Sequence, residues 1–348
     1  MTATAFAQAS PACVPPLSVV MPVHNAMPYL DAAIRAILQQ SFGDFEFIIG
    51  DDCSTDGSAE RALEFARQDP RIRVLRSATR LGPVGSSNWV ANASRAPLVA
   101  RMDADDLCHP RRLEVQMRAL AGHPRAILVG TLCSLIDGAD RTLREPDRSL
   151  LIGRQLPPIA HSSILYRKWA FDQIGGYSRQ SDYFEDVELY RRLAPLGELL
   201  VISDGLLHYR HAGTSARLTD EADAVRRSLD AMPTMLRTGT SKKQATDKLD
   251  PEVFLTLASL RVWSNQSPMI LRDMIRHMRM RPLRASTGVF LSALLCSLSP
   301  ALVRRAVRTR LAWRNWRVRR RIPAGHLFRW VPNAEAINLG RIDMPVAE

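Results

Sequence analysis

Three short polar stretches stand at the ends of apolar runs in the first third of the sequence. Pro22-Val23-His24-Asn25 closes the run that starts at Leu17. Asp51-Asp52-Cys53-Ser54-Thr55-Asp56-Gly57-Ser58 follows Phe45–Ile49, and Asp103-Ala104-Asp105-Asp106 follows Pro97–Met102. Asp51, Asp52, Asp103 and Asp105 would repel one another strongly if they met without a counter-charge. A divalent cation together with a ligand that offers hydrogen-bond donors resolves such a meeting. Oxygen-only ligands suit Mg²⁺ or Mn²⁺, which commonly bridge protein carboxylates and phosphate. A nucleotide diphosphate supplies both the phosphates and the donors. Asp56-Gly57 reads as a turn.

The elements that must position these residues alternate regularly. Leu17–Val23, Phe45–Ile49, Ile72–Leu75 and Pro97–Met102 read as strands. Pro28–Gln40 carries Leu30, Ile34, Ile37 and Leu38 at helical spacing. Further helices are expected from Asp56 or Ser58 to about Gln68, over Pro83–Ala93, and from Pro110 to about Ala121, since proline suits a first helical position. Such alternation predicts a parallel sheet with helices on both faces. Ligands on these sheets sit beyond the carboxyl ends of the strands. The middle of the chain is less regular, with short strands expected at Ile127–Leu132, Ser162–Tyr166 and Leu199–Ile202, and helices near Lys168–Ile174 and Asp186–Ala194. From Thr219 to about Met280 the pattern is helical.

Five ordered strings carry a resemblance: SVVMPVHN (18–25), DDCSTDGS (51–58), MDADD (102–106), HSSILYRKWAFDQIGGY (161–177) and FEDVELYRRL (184–193). Together the chain resembles the family 2 glycosyltransferases of the GT-A fold, over about residues 16–215. The resemblance implies an α/β fold: a GT-A-like, Rossmann-type, mostly parallel sheet with helices on both faces, followed by a C-terminal helical extension. Residues 1–15 are then a flexible N-terminus. Residues 16–215 are the catalytic domain, with a nucleotide-sugar half (16–122) and an acceptor half (123–215). Residues 216–348 are a basic helical region.

Residue roles follow from the same resemblance. Asp105 matches the carboxylate that holds a Mn²⁺ or Mg²⁺ ion bridging the donor's two phosphates, and Asp103 the one that contacts ribose or the metal shell. Asp52 matches the acceptor for a base N–H of the nucleotide, and Pro22 and His24 line the base. The family often carries Tyr where His24 stands. Glu185-Asp186 matches the family's Glu-Asp pair, with Asp186 the general base. His211, in Tyr209-Arg210-His211, matches a late-loop residue beside the diphosphate and its metal. The implied reaction is one inverting displacement, in which a sugar leaves a nucleotide-diphosphate sugar, UDP being the family's usual nucleotide, for a glycan or lipid-linked acceptor in cell-surface polysaccharide synthesis. The picture has the acidic turns converging around one cation, with Asp186 facing the acceptor. Asp186 also suits a helix start, where its charge complements the dipole. His161 is expected to be either a satisfied structural histidine or an acceptor contact, and Gly175-Gly176 a turn.

Composition bounds the rest. The 348 residues are 46% hydrophobic and 24% charged, which excludes a wholly disordered chain. The five cysteines form no short-spaced pair, which argues against a disulfide scaffold or a cysteine-based zinc module. Met1–Pro16 has no Lys or Arg and no sustained apolar core, so no secretory signal is expected. The formal net charge of +12 is concentrated: Leu271–Arg321 holds fourteen Arg and one acid, Asp273. Within it, Ala285–Val303 is uncharged but broken by Gly288, Thr287, four Ser and Pro300, marginal for a spanning helix. Arginines on both sides, with Trp313, Trp316, Phe328 and Trp330, fit the interface of an anionic membrane. The expected location is therefore peripheral, on the cytoplasmic face of the inner or plasma membrane. An Arg-rich nucleic-acid binder and a non-catalytic scaffold of the same fold are the alternatives. The tail lacks a base-reading module, and Asp103, Asp105 and Asp186 are intact, so neither nucleic acid as a partner nor a scaffold is favoured.

Overall fold

The computed structural model describes residues 14–151, 157–178, 185–210, 322–330 and 336–342. His211, residues 1–13, the expected 219–280 helices and the Arg-rich 271–321 segment lie outside the described residues. The chain divides into two compact units. Residues 1–179, 189–211 and 323–348 form one, and residues 180–188 with 212–322 form the other.

The first unit is built on a sheet. Its strands are β1 (Leu17–Val23), β2 (Phe45–Asp51), β3 (Ile72–Arg76), β4 (Leu98–Arg101), β5 (Leu107–Cys108), β6 (Ala126–Ile136), β7 (Thr142–Arg144), β8 (Leu165–Arg167), β9 (Glu198–Arg210), β10 (His326–Arg329) and β11 (Ile337–Arg341). The helices are α1 (Leu30–Leu38), α2 (Ser58–Gln68), α3 (Gly82–Asn92), α4 (Arg112–Gly122), α5 (Lys168–Gln173) and α6 (Glu185–Leu193), of which residues 185–188 fall in the second unit. The sheet order is β11-β10-β9-β6-β8-β4-β1-β2-β3, with β5 added to β9 and β7 to β6. β1 pairs in parallel with both β2 and β4, β2 with β3, and β6 with β9. β8 runs against its neighbours β4 and β6, and β10 against β9. The fold is thus a mixed, mostly parallel α/β sheet flanked by helices.

The chain winds outward from β1 to β2 and β3, then returns past β1 to β4. Right-handed crossovers place α1 and α2 on one face and α3 on the other. Side-chain alternation agrees. Val19, Met21, Phe47 and Ile49 pack with Leu30, Ile34, Ile37, Ala62 and Phe65 in one buried cluster. The opposite face carries Gly50, where an added Cβ would lie 2.2 Å from Val90 Cγ1 on α3. Gly50 has no side chain because α3 lies directly against it.

The winding direction reverses at β1, so the crevice beyond the carboxyl ends of β1 and β4 is a topological switch point. β4 stops opposite Val20, two residues before Pro22. Pro22 points its missing N–H to that vacated side, where no ladder bond is lost.

Two expectations are corrected. Residues 326–329 and 337–341 are strands that extend the sheet beyond β9, where a helical C-terminal region was expected. The pattern near Phe328 and Trp330 is too short to announce a strand, and the pairing partner lies more than a hundred residues away. β9 also runs far beyond Ile202, to Arg210. Its Asp204-Gly205 breaks the apolar run, but the register shift opposite Leu132 absorbs it. Among the described residues, no helix is long and apolar enough to cross a membrane.

Candidate active site

The turns after β1 and β2 are stitched together by short polar side chains. The Asp52 N–H donates to the Val23 carbonyl at 2.7 Å. His24 Nδ1 donates to the Asp52 carbonyl at 2.8 Å. Asn25 and Ala26 donate their N–H groups to Ser54 Oγ and Ser58 Oγ, each at 3.0 Å. Asn25 Oδ1 accepts the Thr55 N–H at 2.8 Å. Asp56 accepts from Met27 N–H with one oxygen and from Ser58 N–H with the other, so it bridges the two turns just ahead of α2, whose N-cap position is Gly57. Asn25 and Cys53 take left-handed backbone angles, φ 49° and 60°. Pro22 is half-buried and His24 exposed at the rim of this double turn.

Asp52 is put to a use the sequence did not announce. It is 1% exposed, and its carboxylate accepts from Arg80 Nη1 at 2.8 Å, Leu81 N–H at 2.5 Å and Gly82 N–H at 3.0 Å. A carboxylate offers about four acceptor positions, so three are filled by the chain itself. Asp51, 2% exposed, accepts the Ser54 N–H. The mutual repulsion expected among the four carboxylates is thus answered in part by protein donors. Among the described residues, no three of His, Cys, Asp or Glu converge as a metal cage.

The turn after β4 alternates. Ala104 and Asp106 point inward and are buried, while Asp103 is half-buried and Asp105 exposed. The Asp103 N–H donates to Ser162 Oγ at 2.8 Å, and Arg101 Nε donates to Asp103 Oδ1 at 2.9 Å. Asp106 is fully buried. Its Oδ1 accepts the Arg210 N–H at 2.9 Å, and its Oδ2 has no hydrogen-bond partner. Burial, followed by the charges of Asp103 and Asp105, pushes its carboxyl well above the usual carboxylate range. Beneath the turn lies Arg112, also fully buried. Its guanidinium donates to the Arg101 carbonyl and to Gln116 Oε1, and burial lowers its affinity for its proton.

The expected metal fits this donor set in one respect. Asp105, with Asp103 two residues earlier, offers hard carboxylate oxygen at an open turn. That suits a Mg²⁺- or Mn²⁺-type ion held by one or two carboxylates and completed by phosphate and water. His161 and Gly175-Gly176 belong to the same unit. A ring nitrogen of His161 lies 2.9 Å from Tyr177 Oη, and both glycines take positive φ in a turn.

Asp186 stands in the first turn of α6 with Glu185 and Glu188, and Arg191 and Arg192 stand in its last. That charge placement complements the helix dipole. Asp186 Oδ1 accepts the Val187 N–H at 2.7 Å. Residues 185–188 belong to the second unit.

Sequence reasoning passed over Arg80, Arg101, Arg112 and Arg210. None of them carries a motif of its own: Arg112 simply follows Arg111, and Arg210 stands in Tyr209-Arg210-His211, where attention fell on the histidine. The available signal was the surplus of carboxylates, which require nearby cations if no ion is present.

Comparison with known proteins bears on the family and the fold. The family described as "Glycosyl transferase family 2" matches residues 18–175. The chain is 29% identical over 221 residues to the putative glycosyltransferase EpsE of Bacillus subtilis, covering 61% of this chain and 76% of that one. It is 28% identical over 114 residues to the UDP-Glc:alpha-D-GlcNAc-diphosphoundecaprenol beta-1,3-glucosyltransferase WfgD of Escherichia coli, covering 33% and 44%. Among solved structures, the mannosyltransferase PcManGT from Pyrobaculum calidifontis, in complex with GDP-Man and Mn²⁺, aligns with TM-score 0.56. Its sequence identity is 16%, and the alignment covers 87% of this chain and 86% of that one. Residues 1–349 of S. aureus TarS in complex with UDP align with TM-score 0.52 and 16% identity, covering 94% and 99%.

Proposed function

The chain belongs to glycosyltransferase family 2 through the domain at residues 18–175, and on that premise we propose that it is an inverting, divalent-cation-dependent enzyme. It moves a sugar from a nucleotide-diphosphate sugar, with UDP as the nucleotide, to a hydroxyl of a glycan or lipid-linked acceptor in surface polysaccharide synthesis. The observation that carries this reading is the turn after β4. It lies at the switch point of the sheet and exposes Asp105 while burying Asp106.

The roles divide among the chain's own residues. Pro22 and His24 form the rim for the nucleotide base. Asp52 holds the Arg80–Gly82 segment against the same turn through three hydrogen bonds, leaving one acceptor position for a base N–H. Asp103 contacts the ribose side, held by Arg101. Asp105, with His211, would hold the Mn²⁺ or Mg²⁺ ion. When bound, that ion neutralises negative charge on the departing nucleoside diphosphate.

Asp186 takes the proton of the acceptor hydroxyl. As the proton leaves, the acceptor oxygen bonds to the anomeric carbon, and the bond from that carbon to the diphosphate oxygen breaks. One displacement inverts the centre. General-base assistance of this kind contributes about 10²–10⁴-fold.

WfgD, whose name gives a diphosphoundecaprenol-linked sugar as its acceptor, supports a lipid-linked acceptor here. The +12 charge supports a peripheral site on an anionic cytoplasmic membrane face. The test is Asp105→Ala. Release of nucleoside diphosphate from a nucleotide-sugar should fall by more than the about 10–100-fold that loss of an outer-shell partner of a metal ligand costs. Undiminished release by Asp105→Ala contradicts the reading.

A further inference from the structure

Arg210 ends β9, and its side chain is 1% exposed. A buried guanidinium is costly unless its donors are matched, so its partners define what it is for. Nε donates to the Asp105 carbonyl at 2.6 Å. Nη1 donates to the Asp137 carbonyl at 2.8 Å and pairs with the Asp140 carboxylate at 2.5 Å. The guanidinium lies 4.4 Å from the centroid of the Tyr29 ring, within cation–π range. Its main-chain N–H donates to Asp106 Oδ1 at 2.9 Å.

These contacts reach three separate pieces of chain. Tyr29 stands at the N-terminus of α1, just after the β1 turn. Asp137 and Asp140 form the tip of the β6–β7 hairpin, where Asp140 takes φ 63°. The hairpin tip meets Tyr29 closely, since a Cβ on Gly138 would lie 3.1 Å from Tyr29 Oη. The third piece is the acidic turn, and here Arg210 grips two consecutive residues. Its side chain takes the carbonyl of Asp105, and its backbone takes the carboxylate of Asp106. The β5–β9 ladder, Leu107 to His208 and Cys108 to Leu207, continues that seam.

We propose that Arg210 is a positioning residue that fixes the direction of the exposed Asp105 carboxylate by clamping the turn from beneath. Its guanidinium braces the turn against the β6–β7 tip and Tyr29. The proposal deepens the reading of Asp105 as the carboxylate on the cation side and rests on it. Arg is required because one planar fork serves two carbonyls in different loops and a carboxylate together. A lysine ammonium keeps the charge but cannot span that set.

The test uses the full chain with Mn²⁺ and UDP as probes. Mn²⁺ binding in the presence of UDP is read by electron paramagnetic resonance, and amide exchange is read over residues 103–108. Arg210→Lys should weaken Mn²⁺ binding by about 10–100-fold, the usual cost of losing a group that orients a ligand, and should speed exchange in that turn. Asp140→Asn keeps a side chain tolerant of left-handed φ and removes only the charge of the outer, exposed partner. It should move both readouts the same way, by less. Ile202→Ala in the core of β9 is the control for lost stability and should leave Mn²⁺ affinity unchanged. If Arg210→Lys and Asp140→Asn lower the melting temperature but leave Mn²⁺ affinity and the turn's exchange as in the wild type, the proposal is overturned. If the wild type itself binds no Mn²⁺ with UDP, the metal reading of Asp105 fails, and the exchange data alone decide whether Arg210 clamps the turn.

Discussion

Asp105 and Asp106 are adjacent and identical, yet one faces solvent and the other is sealed in the core. The difference comes from the backbone, which alternates Ala104 and Asp106 inward and Asp103 and Asp105 outward. Only the outward pair can meet a ligand. The pair Asp103 and Asp105 was legible in the sequence as two carboxylates directly behind an apolar strand, and the structure folds them into a turn in which the Asp106 N–H donates to the Asp103 carbonyl at 3.4 Å. The fate of Asp52 was not legible. Its three donors come from Arg80, Leu81 and Gly82, nearly thirty residues away, and no local pattern announces that approach. At this scale the base assignment has a direct consequence. Asp186→Asn keeps the shape of the side chain but removes its capacity to take a proton. Its kcat should fall by about 10²–10⁴-fold, while affinity for UDP stays within a factor of two to three. Steady-state kinetics with a saturating acceptor, beside a UDP titration, checks both parts.

The strand and helix sequence from β1 to α4 was readable almost throughout, because apolar runs alternate with helical periodicity. The irregular half was less so. His161–Ser163 forms a short helical turn ahead of β8 where a strand was expected, since Ser163 Oγ bonds the Ala160 carbonyl and receives the Thr131 N–H. Nor does any motif mark the cluster at the opposite end of the sheet. There Glu46, buried at the start of β2, accepts from Ser18 Oγ on β1, from Arg73 on β3 and from Arg95 before β4. Burial alone would raise its carboxyl, but the hydrogen bonds from Ser18 and from the Arg95 N–H and guanidinium prevail and hold it below the usual range. A lowered folded pKa means the stabilisation is present above the unfolded value and is lost as pH falls through the folded one. Glu46→Gln should therefore cost about 2 kcal/mol at pH 7, in line with a buried acceptor losing charged partners. The gap from wild type should narrow as pH falls below the usual glutamate range. Urea denaturation at pH 7 and pH 3.5 measures it, and an equal gap at both pH values would show that the charge of Glu46 is not the cause.

Across the whole molecule, charge is segregated by position in the chain. The switch-point turns gather acids, and fourteen arginines with one acid crowd into residues 271–321. That asymmetry was plain in the sequence, whereas the return of residues 326–341 to the sheet edge was not. A strand's partner is set by tertiary contact rather than by local propensity. On the proposed peripheral reading, the full chain should sediment with anionic phosphatidylglycerol vesicles and not with neutral phosphatidylcholine ones. Binding should weaken as salt rises, because the Debye length shortens. Equal binding to both vesicle types would contradict an electrostatic attachment. The most direct test of the central claim is release of nucleoside diphosphate by the wild-type chain across a panel of nucleotide-sugars with Mn²⁺. The account predicts turnover of a UDP-sugar that stops when excess chelator is added and returns with Mn²⁺ or Mg²⁺. Full activity in the presence of the chelator would contradict it.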